Sequence, residues 1–266
     1  MSTMWRKMTV RLERSGAVAH VWLDRPTKLN ALNLDVLRLL TDLVVSLEDD
    51  LSVRVVVLRG SGRAFSAGAD LSAGAPAGSG KQRTWAERRH LSGGWQRFLD
   101  RFEALPQVTV AGLHGHCIGG AALIAAACDI RIGDPTLQVR IPELAIGIPL
   151  TWGGNPRLVR EIGLPLTRDL VMTGRLMLAD EALRAGFVQR LAAEGELVAA
   201  VDEAVRELLA MPEAPLRMTK AMMHAIGRAQ MGAAGWADAD LLAWSGGEPE
   251  GLEAATRYLE RRTKRD

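Results

Sequence analysis

The chain has 266 residues, 48% of them hydrophobic and 24% charged, a balance typical of globular proteins and unlike that of disordered or fibrous ones. The formal net charge is +2, and lysines and arginines are scattered rather than striped, so no nucleic-acid partner is expected. No segment offers roughly 20 apolar residues free of charge, and Met1 to Val10 lacks an apolar secretory run. The expectation is therefore a cytoplasmic protein with no membrane partner. The two cysteines, Cys117 and Cys128, sit in Ala/Gly-rich surroundings and read as buried free thiols.

In chain order, Val10 to Arg14 and Ala17 to Leu23 alternate in polarity around Ser15-Gly16, which predicts a hairpin with a two-residue turn. Asn33 can cap a helix whose apolar positions are Leu34, Leu37, Leu40, Leu43, Val44 and Leu47. Val53 to Leu58 is a short apolar run, predicting a buried parallel strand that ends at Gly60. The order strand, helix, strand argues for an α/β layer structure. Leu71 to Gly80, rich in Ala, Gly, Ser and Pro, reads as a mobile loop or lid before a helix from near Trp85 to about Leu105.

A strand at Val108 to Leu113 then runs through His114-Gly115-His116 into an Ala-rich helix, about Gly119 to Ala127. Asp129 to Ile132 and Leu137 to Arg140 are short strand candidates around Gly133-Asp134-Pro135. Beyond about Gly195 the pattern predicts helices only: Glu196 to Ala210, Pro215 to Arg228, Ala233 to Ala243 and Pro249 to Arg261. The block carries Met211, Met218, Met222, Met223 and Met231 with Trp236 and Trp244, suited to core or subunit contacts. A soft division falls at 1–200 and 201–266.

Two glycine-rich turns follow apolar strands: Phe65-Ser66-Ala67-Gly68-Ala69-Asp70-Leu71 and His116-Cys117-Ile118-Gly119-Gly120-Ala121-Ala122. Glycine lets backbone approach a ligand closely, and N–H groups at a helix N-terminus carry partial positive charge. Two such turns could aim two donors at one oxygen, although each alone reads more readily as a tight strand-loop connection. His114 and His116 have a spacing that can hold a metal from a strand, but no further His or Cys cluster joins them, so no metal is expected. Gly60-Ser61-Gly62 lacks the third glycine of a dinucleotide fingerprint.

These turns stand in register with Leu23-Asp24-Arg25-Pro26, Leu29 to Asn33, Pro142-Glu143 to Gly154, Ala179-Asp180-Glu181-Ala182 and Gly186-Phe187-Val188. In that order, over nearly the whole chain, they resemble the crotonase superfamily, the enoyl-CoA hydratase/isomerase family. The resemblance implies an α/β, crotonase-like (ClpP/crotonase) spiral of ββα units, with a core in 1–200. It also implies a helical trimerisation region in 201–266, assembling as a homotrimer or a dimer of trimers. The implied substrate is an acyl-CoA thioester, coenzyme A being part of the substrate rather than a cofactor.

Carried over by position, the two backbone donors to the thioester oxygen would be Ala69 and Gly120, and the acid–base group Glu143. Leu29, Ala31, Ala67 and Gly68 would line the CoA arm, with Asp70 and Leu71 beside them, and Lys28 and Arg63 are the local cations for its phosphates. Trp152 is a candidate wall of the acyl pocket, as are Trp85 and Trp95. The family's hydratases carry a first glutamate where this chain has Leu123, so isomerase-type or weak hydratase chemistry is expected, since moving one proton away and back needs a single base. The alternative is a non-catalytic acyl-CoA-binding homologue. A serine peptidase of the related ClpP fold is disfavoured by the lack of Ser from Gly119 to Ala127 and of any G-x-S-x-G.

Overall fold

The computed structural model describes residues 9–71, 84–232, 234–245 and 248–263; of the expected loop from Leu71 to Gly80, all but Leu71 lies outside them. Strands β1 (Val10–Ser15) and β2 (Val18–Leu23) form an antiparallel hairpin. Ser15 pairs with Val18, so the turn is Gly16-Ala17, one residue later than the polarity pattern suggests. The left-handed φ of +56° at Gly16 accounts for the offset. Helix α1 (Leu34–Glu48) is capped as expected, Asn33 Oδ1 accepting the Val36 N–H at 2.9 Å. Its buried face is Val36, Leu39, Leu40, Leu43, Val44 and Leu47, and Leu34 points to solvent instead.

After β3 (Val55–Gly60), the helix expected from Trp85 to Leu105 is two helices, α2 (Trp85–Ser92) and α3 (Gly94–Glu103), parted at Gly93. Two adjacent glycines are poor helix formers, and Thr84 and Glu87 make a capping box that sets α2 separately. The chain continues through β4 (Val108–Leu113), β5 (His116–Ile118), α4 (Gly120–Ala126), β6 (Ile130–Gly133) and β7 (Gln138–Arg140). A 3-10 turn at Glu143–Ile146 precedes α5 (Gly154–Thr173), which breaks at Gly163 ahead of Pro165. Next come β8 (Leu176–Leu178), α6 (Ala179–Arg184), β9 (Arg190–Leu191) and α7 (Leu197–Ala210). The last elements are α8 (Glu213–Met231), α9 (Asp238–Ser245) and α10 (Pro249–Thr263).

The main sheet runs β1-β2-β3-β4-β6-β9, parallel from β2 onward. Both its faces are covered, which is why β3 and β4 are apolar without alternation. One face packs Val18, Val55, Val57, Val110 and Ile132 on Val201, Ala204 and Val205 of α7. The other packs Ala19, Val21, Val56, Leu58, Ala111 and Leu113 into the larger core with α1 and α3. The 200/201 division thus falls inside a helix seated on the sheet. β7 belongs not with β6 but to a second, three-stranded layer, β5-β7-β8. Two isolated parallel bridges, Ser66 with Cys117 and Leu32 with Ala69, extend that layer toward the N-terminal half. Among the described residues, no helix is long and apolar enough to cross a membrane.

Candidate active site

The second layer brings the two glycine-rich turns together. Ser66 N–H donates to His116 O at 2.9 Å, and Ile118 N–H donates to Ser66 O at 3.1 Å. Gly68, with φ +80°, then lies so close to the second turn that a Cβ there would stand 2.4 Å from Ile118 O and 3.8 Å from Gly120 N. In the bridge with Leu32, the bonds run through Gly68 O and Asp70 N at 2.8 and 2.9 Å, which leaves the N–H of Ala69 outside the ladder. Gly120 opens α4, and the first N–H groups of a helix have no partner within it. Ala69 is exposed, whereas Gly120 is buried beneath the Trp152 indole.

β7 carries Glu143 to the same place. Gly119 N–H donates to Arg140 O at 2.7 Å, extending the β5-β7 ladder, and Glu143 follows three residues later. Its Oε1 lies 2.6 Å from where a Cβ on Gly119 would be. Gly119, at φ +53°, is therefore required both by its backbone and by the carboxyl against it. The residue as a whole is half-buried, but its carboxyl is enclosed: Oε2 is buried with no hydrogen-bond partner among the described residues. Burial pushes the carboxyl up from 4.5 to about 7, opposed by the residue's own backbone N–H.

The segment from Leu29 to Ala31 lies alongside the first turn. Leu29 and Asn30 are both left-handed, φ +48° and +55°. Asn30 is buried, donating from Nδ2 to Ser61 O and Ala64 O at 2.8 Å while Oδ1 accepts the Arg25 N–H. Ala67 N–H donates to Leu29 O at 2.8 Å. Arg25 pairs with Asp70 at 2.9 Å and donates to Ala31 O. Asp70 thus anchors the turn, and Leu71 ends the described part of it. The motif segments Leu23 to Pro26 and Leu29 to Asn33 include Arg25 and Asn30 but give neither a role; an Asn in a run of turn residues is the local signal for the left-handed site.

Lys28 and Arg63 are exposed on adjacent turns, joined where Gly62 meets Pro26. Trp152 adopts φ +62°, its ring against Gly120 and stacked on Trp95 at 4.7 Å between centroids and 15° between planes. Trp85 does not join them: it is exposed, and its Nε1 donates to Asp240. Leu123, one helical turn past Gly120, is 1% exposed and packs against Gly154 beside Leu150. His114 Nε2 lies 2.9 Å from Gly62 O. Cys117 and Cys128 are buried free thiols, burial pushing both thiols upward and Cys128 to about 12. Two described cavities, of about 510 and 170 Å³, lie between α2, α3, α5 and the C-terminal helices, the smaller bordered by Gly153.

A family profile described as enoyl-CoA hydratase/isomerase matches residues 13–265. The chain belongs to the enoyl-CoA hydratase/isomerase family. It is 33% identical over 212 residues to the short-chain-enoyl-CoA hydratase of Clostridium acetobutylicum, spanning 79% of each chain. It is 35% identical over 180 residues to the mitochondrial Delta(3,5)-Delta(2,4)-dienoyl-CoA isomerase of Rattus norvegicus, spanning 65% of this chain and 55% of that one. Among solved structures it is similar to an enoyl-CoA hydratase/isomerase from Marinobacter aquaeolei. The two are 27% identical with a TM-score of 0.77, covering 95% of this chain and 97% of that one. The crotonase-type α/β fold is shared with these hydratase/isomerase enzymes, so the family and its fold agree with the expectation from motif order.

Proposed function

We propose that this enzyme moves a proton on an acyl-CoA thioester through an enolate held by the N–H groups of Ala69 and Gly120, with Glu143 as its acid–base group. Fixed donors aimed where negative charge develops stabilise such an anion by roughly 3 kcal/mol each. Glu143 takes the proton from carbon next to the thioester carbonyl and returns it two carbons further along the conjugated system, so the double bond shifts and the carboxylate is regenerated. A water held by the same carboxyl would give slower hydration. The observation that carries the reading is the enclosed Glu143 carboxyl beside Gly119, pushed to about 7, where it can both take and return a proton near neutrality. Leu123 favours isomerase-type over ordinary hydratase chemistry, because position 123 supplies no second carboxylate.

Replacing Glu143 by Gln keeps the shape and removes the base. Turnover of 3-enoyl-CoA and crotonyl-CoA is expected to fall by about 100-fold or more, with thioester affinity nearly unchanged. Full turnover in that variant would overturn the mechanism. Tight thioester binding by a parent protein that turns nothing over would favour the non-catalytic reading instead. The lining of the CoA arm by Leu29, Ala31, Ala67 and Gly68, and the contact of Lys28 and Arg63 with its phosphates, belong to the same proposal.

The proposal extends to assembly as a homotrimer or dimer of trimers through the C-terminal helices. On α8, Met218, Met222 and Ile226 recur every four residues on one exposed strip, with Met223 beside them. Contiguous exposed apolar surface of this kind marks interaction sites. Light scattering at micromolar concentration is expected to give three or six copies, and a monomer would count against it.

A further inference from the structure

Trp152 and Gly153 are consecutive left-handed residues, φ +62° and +66°. Glycine adopts that conformation freely, but a tryptophan does not, and such a residue persists only where its surroundings over-determine it. Two groups hold this pair. Arg157, fully buried, donates from Nη1 to Trp152 O at 2.7 Å and Gly153 O at 3.3 Å, and is itself fixed by Glu103 and Asp100. On the other side, the Gly153 N–H donates to Asp238 Oδ2 at 2.7 Å.

Asp238 lies 85 positions further on, at the start of α9, and is 6% exposed. The chain just before it also touches Gly153: a Cβ on Gly235 would stand 3.3 Å from Gly153 Cα, and Gln96 Nε2 donates to Gly235 O. What this clamp positions is the Trp152 indole, stacked on Trp95, with Cζ3 only 2.2 Å from where a Cβ on Gly120 would be.

We propose that Asp238 is a positioning residue for the acyl site: by accepting the Gly153 N–H it holds Trp152 left-handed and its indole against Gly120. The C-terminal helical region thereby sets the aromatic wall beside one oxyanion donor of the same chain. The proposal rests on the reading of Gly120 as that donor. A carboxylate accepting a backbone N–H makes a short, strong bond, and misplacing a group at the reacting centre by about 1 Å can cost on the order of 100-fold in rate.

The test uses Asp238→Ala and Asp238→Asn, each in the parent and in Trp152→Ala, with crotonyl-CoA and 3-hexenoyl-CoA as probes. The stacked Trp95–Trp152 pair gives an exciton-coupled circular dichroism band, identified as the signal that Trp95→Phe removes. Asp238→Ala is expected to lose that band and to lower kcat by about tenfold or more, with KM within about twofold. Asp238→Asn, which keeps an acceptor oxygen, is expected to retain both. In Trp152→Ala, the further change Asp238→Ala is expected to add nothing, since both act through one contact. Should the alanine variant not fold, Asp238→Glu, which moves the oxygen by one methylene, takes its place with the same expected direction.

A parental band and kcat in Asp238→Ala, equal losses in the asparagine variant, or additive losses with Trp152→Ala would each overturn the proposal. The band is read without substrate, so it reports on Asp238 even if Glu143→Gln were to retain turnover and sink the enolate mechanism.

Discussion

The turns at Gly68 and Gly119 are set by backbone hydrogen bonds in a strand layer, whereas Glu143 reaches the same place as a side chain on a short 3-10 turn outside that layer. The backbone half is cross-linked from both sides, by Leu29, Leu32, His116 and Arg140. The side-chain half is held by close approach: Gly119 lies under the carboxyl, and α10 lies against the end of the turn. A Cβ on Gly147 would stand 2.2 Å from Gly251 O. The difference teaches that the proposed donor at the exposed Ala69 can tolerate a change of side chain, while the proposed donor at Gly120 and the proposed acid–base group Glu143 each depend on a glycine that leaves room beside them.

Gly119→Ala breaks that dependence most directly. Its Cβ would press on Oε1 of Glu143, and its φ of +53° with ψ of −121° lies outside the regions allowed to an L-residue. Turnover is expected to fall on the order of 100-fold, with a lowered melting temperature, while Ala69→Ser, acting only through its N–H, is expected to stay near parental. Steady-state rates and thermal unfolding of the two variants, side by side, check the contrast.

The carboxyl itself sharpens it through pH. If Glu143 is the base proposed above, it must begin ionised, and kcat/KM is expected to rise about tenfold per pH unit up to about 7 and then level off. Stability runs the other way. A carboxyl raised from 4.5 to about 7 binds its proton more tightly when folded, so its contribution is present below 4.5 and is lost as pH rises to 7. The whole change is about 3 kcal/mol. Denaturant titrations from pH 4 to 8 should show that slope in the parent and not in Glu143→Gln.

Much of the backbone half was legible. The expected run at Val53 to Leu58 holds the parallel strand Val55–Gly60, starting two residues later than expected, Val108 to Leu113 is its parallel neighbour, and the glycines after them sit where left-handed or closely approached backbone requires them. Glu143 was legible only through the order of motifs, because nothing in Pro142-Glu143 announces burial. The split at Gly93 went unread since helical spacing continues across it. That β6 and β7 lie in different sheets was also hidden, because short strands carry no mark of their partner. Asp238 was out of reach for another reason: its partner is a backbone N–H 85 residues away, and a main-chain donor leaves no trace in side-chain identity.

Leu123→Glu is the mildest test and the one that joins the two halves. Position 123 lies on the same face of α4 as Gly120, three residues on, and packs against Gly154 beside Leu150. A carboxyl placed there would be buried, and burial favours its protonated form. Burying it without a partner is expected to cost about 2 kcal/mol or more. Hydratase activity is expected to rise relative to isomerase activity by a few-fold, well short of the roughly 100-fold that a fully placed acid–base group supplies. Leu123→Gln, with the same shape and no ionisable group, is the control. An unchanged ratio in the Glu variant, with Glu143-dependent turnover intact, would mean that position 123 does not face the substrate and that its leucine does not set the reaction type.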